Sequence, residues 1–161
     1  MSEWIEAGQP APKFQLMDDN GKKVSLESLQ GKPVVLYFYP KDDTPGCTKQ
    51  ACAFRDRKKE LEDLGAVVLG VSPDDQGSHA DFRDKFELNF PLLVDTDHKV
   101  AEQYGAWREK NMYGKKSMGI QRSTFLIGAD GVVKKVWKRV KVDGHDDQVL
   151  EALQSLTAKS S

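Results

Sequence analysis

The chain of 161 residues holds two cysteines, Cys47 and Cys52, and both lie in one stretch, DDTPGCTKQAC. The thiolate is the form of cysteine that attacks electrophiles and binds metals. Four uses fit a pair at this spacing: a metal pair, a structural disulfide, a redox couple, or two unrelated buried thiols. A structural zinc site wants four Cys or His ligands at short spacings. His79, His98 and His145 are dispersed on segments that read as surface, so the metal reading is disfavoured. Cys47 follows an apolar run and a Thr-Pro-Gly, and it opens a segment of helical periodicity. A thiol at a helix N-terminus faces unpaired backbone N–H groups and the positive end of the dipole, both of which favour the thiolate. An ordinary free cysteine, with a pKa near 8.5, is only about 3% ionised at pH 7. Such a position therefore separates a reactive sulfur from an inert one.

Geometry constrains the pair further. On an ideal helix a separation of five residues means an axial rise of ~7.5 Å and a rotation of ~500°, so the two Cα atoms lie roughly 8 to 9 Å apart. A disulfide needs less than about 7 Å. The two sulfurs can join only if the start of this helix unwinds, which disfavours a permanent bridge and fits a chemically triggered one. Other candidates read as structural. Asp42-Asp43, Asp74-Asp75 and Asp146-Asp147 stand where helices begin, as caps and dipole partners on solvated faces. Asp95-Thr96-Asp97 reads as the turn after a strand, and neither a Gly-rich phosphate loop nor a G-x-S-x-G elbow occurs.

The scaffold that must position Cys47 is legible as alternating elements. FQLMDDNGKKVSL signals a short hairpin around Asn20-Gly21. PVVLYFY (33–39) and AVVLGVS (66–72) read as strands buried on both faces, with a helix predicted from Thr48 to Leu64 between them and Gly65 as its stop. That unit implies parallel strands and a right-handed crossover. A helix over 74–86, a strand over 91–95, a short helix over 99–104, two strands around Asp130-Gly131 and a helix over 145–156 follow. The pattern predicts an α/β fold: a three-layer α/β/α sandwich with a central mixed β-sheet and an N-terminal hairpin extension. One domain over 1–161 is expected, with a frayed tail at 157–161. Open sheets of this kind place their active crevices at the carboxyl ends of strands, where Cys47 lies.

Charged residues make up 30% of the chain with a formal net charge of -1, and both signs are mixed throughout. No field exists to draw in nucleic acid or an anionic membrane. No apolar segment approaches the ~20 residues that span a bilayer, and MSEWIEAGQPAPKF lacks the basic and apolar regions of a secretory signal. A cytoplasmic protein is expected, and lasting structural disulfides are rare in that compartment.

The stretch PKDDTPGCTKQAC resembles the active-site segment of the peroxiredoxins, in particular the bacterioferritin comigratory protein or peroxiredoxin Q type. The Pro-x-x-x-Thr-x-x-Cys signature of that family falls on Pro40, Thr44 and Cys47. Similarity extends through GVSPDD, FPLLVD and MYGKKSMGIQRSTFLIGADG, and so covers most of the chain. The resemblance implies a thioredoxin-like fold and reduction of hydrogen peroxide and organic hydroperoxides without metal or prosthetic group. It assigns Cys47 as the peroxidatic nucleophile that becomes a sulfenic acid, Thr44 as a hydrogen-bonding partner of the peroxide, and Pro40 as a shield. Arg122 matches the distant arginine that stabilises the thiolate. Cys52 matches the resolving cysteine of members that carry it in the same helix, giving an intramolecular disulfide that thioredoxin or a similar dithiol reduces. A monomer is expected, since resolution needs no partner chain. A thioredoxin-like disulfide reductase would share the fold but normally has C-x-x-C, and four intervening residues argue against it. The alternative from another class is a peroxide sensor or redox-switched chaperone using the same cysteine pair.

Overall fold

A computed structural model of the chain describes residues 3–159. Its centre is a five-stranded sheet built from β3 (Val34–Phe38), β4 (Val67–Ser72), β5 (Leu92–Val94), β8 (Ser123–Ile127) and β9 (Val133–Trp137), in the order β5-β4-β3-β8-β9. β3 pairs in parallel with β4, and β4 with β5, while β8 runs antiparallel to both β3 and β9. The sheet is therefore mixed, as expected. β3 and β8 are buried along their whole lengths, which explains why they read as unbroken apolar runs.

Because side chains alternate across a strand, β3 feeds two separate cores. Leu36 and Phe38 point to one face, with Leu69, Val71, Phe125 and Tyr104. Val35, Tyr37 and Tyr39 point to the other, with Cys47, Phe54 and Leu126. The first face is covered by α4 (Lys99–Tyr104) and N-terminal chain, the second by α1 (Pro45–Asp56), α3 (Gln76–Phe86) and α5 (His145–Lys159). This is the three-layer arrangement that the alternation of elements predicts. Gly70 of β4 is required here: a Cβ at that position would lie 2.9 Å from Cζ and Oη of Tyr37, whose ring crosses the strand.

The N-terminal hairpin is present as β1 (Gln15–Met17) and β2 (Lys23–Ser25), with Gly21 at φ +76 in its turn. Of the predicted tail, α5 continues through Lys159, and Ser160 and Ser161 lie outside the described residues. Two expectations need correction. The helix expected over 48–64 starts earlier, at Pro45, and is two helices, α1 and α2 (Lys58–Asp63). Arg57 breaks it: its backbone turns to φ -97, ψ 4, and its guanidinium is held by Asp146, Asp147 and Glu60. The bend lets α2 bury Leu61. A further hairpin, β6 (Trp107–Met112) and β7 (Lys115–Ile120), falls where no strand was expected. Its turn places Tyr113 and Gly114 both at positive φ, the two-residue geometry that tight hairpins favour. β7 is exposed over its first four residues, so no apolar alternation marks it in the sequence.

Candidate active site

The crevice lies where β3 ends. Thr44 is the N-cap of α1, with extended backbone, and Pro45 takes the first helical position, where the absence of an N–H costs nothing. The buried stripe of α1 is Cys47, Gln50, Ala51 and Phe54, the i, i+3, i+4, i+7 face of an amphipathic helix. Cys47 thus sits in the first turn and is only 1% exposed. Cys52 lies off that stripe, half-buried, and both thiols are free.

Arg122 immediately precedes β8, whose Ser123 pairs with Phe38 at the end of β3. That register carries the guanidinium to the helix start. Nη2 of Arg122 donates to Sγ of Cys47 at 3.1 Å, and Nη1 donates to Oε1 of Gln50 at 2.6 Å. Gly46 makes room, since a Cβ there would lie 3.2 Å from Nη2. Thr44 donates its hydroxyl to the Lys41 carbonyl at 2.9 Å, and its own carbonyl accepts the Thr48 N–H at 2.8 Å. Pro40 is half-buried in the loop between β3 and α1. The fold therefore joins Cys47 directly to Arg122, with Thr44 one turn away. It does not join Cys52 to Cys47, because both belong to one continuous helix.

Three features of this region escaped the sequence reading. Gln50 is 2% exposed, orients Arg122, and leaves its own Nε2 without a hydrogen-bond partner among the described residues. Its i, i+3 spacing from Cys47 was the available signal. Lys110 of β6 runs across Gly119 of β7, with Cδ 3.3 Å from where a Cβ would stand. Burial pushes its ammonium below the ordinary lysine value, Arg122 adds to that, and Cys47 opposes it. No signal pointed to Lys110, because the hairpin itself was unmarked. Tyr37 is buried with Oη unpartnered among the described residues, and burial followed by the neighbouring Cys47 and Asp42 pushes its phenol well above the usual range.

The acidic pairs and histidines also need correction. Asp75 does cap α3, accepting the Ser78 N–H at 2.8 Å, and Asp43 is exposed and paired with Lys85 at 2.8 Å. Asp42, however, is buried, as is Asp95, which receives the N–H groups of Val100 and Ala101 at the start of α4. His79 and His145, read as surface residues, are buried at 0% and 1% exposure.

A buried sulfur at a helix N-terminus, with a guanidinium donor at hydrogen-bond distance, is suited to nucleophilic attack and to holding negative charge that develops beside it. Residues 7–136 match the AhpC/TSA family. The chain is similar to Peroxiredoxin Bcp of Bacillus subtilis, 49% identical over 155 residues that cover 96% of this chain and 99% of that protein. It is 48% identical to Peroxiredoxin Bcp of Escherichia coli over 150 residues, 93% and 96% of the two chains. Among solved structures it is similar to the bacterioferritin comigratory protein of Xanthomonas campestris, studied for its alkyl peroxide reduction activity. The TM-score is 0.89 at 39% identity, covering 94% of this chain and 99% of that one.

Proposed function

For this chain, which belongs to the AhpC/TSA family and is a peroxiredoxin of the Bcp type, we propose a peroxidase cycle run by Cys47 and Cys52. The Cys47 thiolate attacks the terminal oxygen of a hydroperoxide. The S–O bond forms as the O–O bond breaks, the leaving alkoxide or hydroxide takes a proton, and Cys47 becomes a sulfenic acid. The observation that carries this reading is the 3.1 Å contact from Arg122 to Sγ in the first turn of α1. Arg122 and the Cys47 N–H, which has no intrahelical acceptor, stabilise charge on the sulfur and on the departing oxygen. The Thr44 hydroxyl donates its hydrogen bond to the Lys41 carbonyl, so its lone pairs are free to accept the O–H of the peroxide and orient it. Pro40 shields the sulfenic acid from solvent.

Cys52 then attacks the Cys47 sulfenic sulfur, forming the disulfide and releasing water. Both residues start in one helix, so α1 must unwind between them. A dithiol reductant, thioredoxin or a similar protein, exchanges with the disulfide and restores both thiols. Because the second thiol lies in the same chain, a monomer suffices, and a cytoplasmic setting supplies the reductant.

One equivalent of hydrogen peroxide should remove two hydrogens and both free thiols within a single chain, read by intact mass and thiol count. Cys52→Ser should stop after gaining one oxygen atom. Thioredoxin-dependent turnover surviving in Cys47→Ser would refute the cycle.

A further inference from the structure

Five residues before the nucleophile lies a buried ion pair that takes no part in this cycle. Nδ1 of His79 is 2.6 Å from Oδ2 of Asp42, and its Nε2 is 2.8 Å from the Leu93 carbonyl of β5. A carbonyl only accepts, so Nε2 must carry a hydrogen. The Asp42 carboxylate receives Tyr39 Oη on Oδ1 at 2.6 Å and Ser78 Oγ on Oδ2 at 2.8 Å. With hydroxyl donors on both of its oxygens the Asp42 carboxylate is set as an acceptor, so Nδ1 must donate as well. A ring that donates from both nitrogens is an imidazolium.

The titratable groups facing this ring come from three directions. Asp42 approaches from the loop before α1 and Asp74 from the loop before α3, while the Tyr39 ring lies 6.4 Å away at the end of β3. The cations of α3 turn elsewhere, Arg83 to Asp19 and Lys85 to Asp43. Burial works against the charge on His79. The Asp42 hydrogen bond and field, the Leu93 carbonyl and the Asp74 charge together outweigh it and raise the ring above its ordinary value of 6.5. Asp42, Asp74 and His79 also bring ligand-type atoms within 4.8 Å of one another, but hydrogen bonds already occupy both His79 nitrogens and both Asp42 oxygens.

We propose that His79 is a positioning residue for the peroxidase reaction: as an imidazolium it locks Asp42, and through it holds the β3–α1 loop that presents Thr44 and Cys47. This loop has need of a lock. Asp43, next to Asp42, holds a left-handed conformation at φ 55 that non-glycine residues seldom adopt. The Asp42 N–H donates to Oδ2 of Asp74 at 2.7 Å, which also receives Ser72 Oγ at 2.9 Å, so the loop is tied on two sides. Loss of one proton from the ring leaves either Asp42 or the Leu93 carbonyl without its donor, whichever tautomer forms. Since the folded ring holds its proton more tightly than a free one, the lock is complete below about pH 6.5. It is lost as pH rises through the folded value. Above the folded value the loop loosens while any thiol gains thiolate, so the two effects oppose one another.

The proposal rests on Cys47 being the reactive thiol, and two measurements keep the readings apart. In ¹⁵N-histidine-labelled protein, an NMR titration should show both ring nitrogens of His79 protonated at pH 6 and a midpoint above the ordinary value of 6.5. A neutral imidazole there would overturn the proposal, whatever Cys47 does. In a Cys52→Ser background, alkylation of Cys47 by iodoacetamide should rise with pH and then fall on the alkaline side. His79→Gln should react roughly tenfold more slowly at pH 7, the scale expected for a small displacement of a reacting group, and should lack the alkaline fall. A wild-type rate and profile in His79→Gln would overturn the lock. Should that variant fail to fold, Asp42→Asn carries the same test, with the same expected loss of the alkaline limb. Neither readout uses peroxide, so failure of the peroxidase cycle would show separately, as intact turnover in Cys47→Ser.

Discussion

Replacing Arg122 by Met tests how far one side chain holds the site together. The substitution keeps an apolar stem and removes two hydrogen bonds, to Sγ of Cys47 at 3.1 Å and to Oε1 of Gln50 at 2.6 Å. Hydrogen bonds to charged groups contribute about 1.5–3 kcal/mol. Loss of the first should therefore slow the reaction of Cys47 with peroxide by roughly ten- to a hundred-fold. Loss of the second strips Oε1 of a residue that is 2% exposed, while Nε2 of the same amide already lacks a partner. An orphaned buried acceptor costs about 1–3 kcal/mol. In a domain of this size that lowers Tm by roughly 2 to 12 °C. Adding Gln50→Leu removes the orphan, so the double variant should regain stability without regaining rate. Stopped-flow fluorescence with hydrogen peroxide and thermal unfolding of the four proteins of the cycle measure both. A rate within twofold of wild type, or additive stabilities with no coupling of about 1 kcal/mol, would refute the argument.

Two further outcomes follow from partly buried cations and bases. Lys110→Gln removes a half-buried ammonium whose field reaches Arg122 and Cys47; alkylation of Cys47 should slow up to about fivefold, the range of partly exposed charge pairs. The effect should shrink in high salt, and equal rates at low ionic strength would dismiss Lys110 from the site. His145, the first residue of α5, is buried with Nε2 2.8 Å from Thr124 Oγ1, and burial lowers its pKa against opposing help from Gln148 and Asp146. Below about pH 6.5 the unfolded chain takes up a proton that the folded ring refuses. Stability should therefore fall on acidification, by at most about 1.4 kcal/mol per pH unit from this group. Urea unfolding between pH 5 and 7 should show a shallower slope in His145→Gln; an unchanged slope would exclude the assignment.

What the sequence made legible follows the reach of each signal. Buried strands such as Val34–Phe38 announce themselves because both faces are apolar, and the Cys47 helix because its buried stripe repeats within three or four residues. The exposed hairpin β6–β7 has no buried face along most of β7, so nothing periodic marks it, and Lys110 was lost with it. Asp42, His79 and His145 failed for a different reason. Asp42 and His145 each have one near partner, Tyr39 and Gln148, but the bonds that complete their burial and that of His79 span 37 residues from His79 to Asp42 and 21 from His145 to Thr124. A polar side chain whose burial depends on distant partners is indistinguishable in sequence from one in solvent, because its desolvation is compensated only in three dimensions. The two histidines then act in opposite pH windows: His79 withdraws support above its ordinary range, and His145 below it. Near neutrality, where the unfolded rings titrate, neither penalty is fully developed. Two residues that read as inert surface thus bear on opposite ends of the pH range, His79 through the Cys47 loop and His145 through the stability of the whole domain.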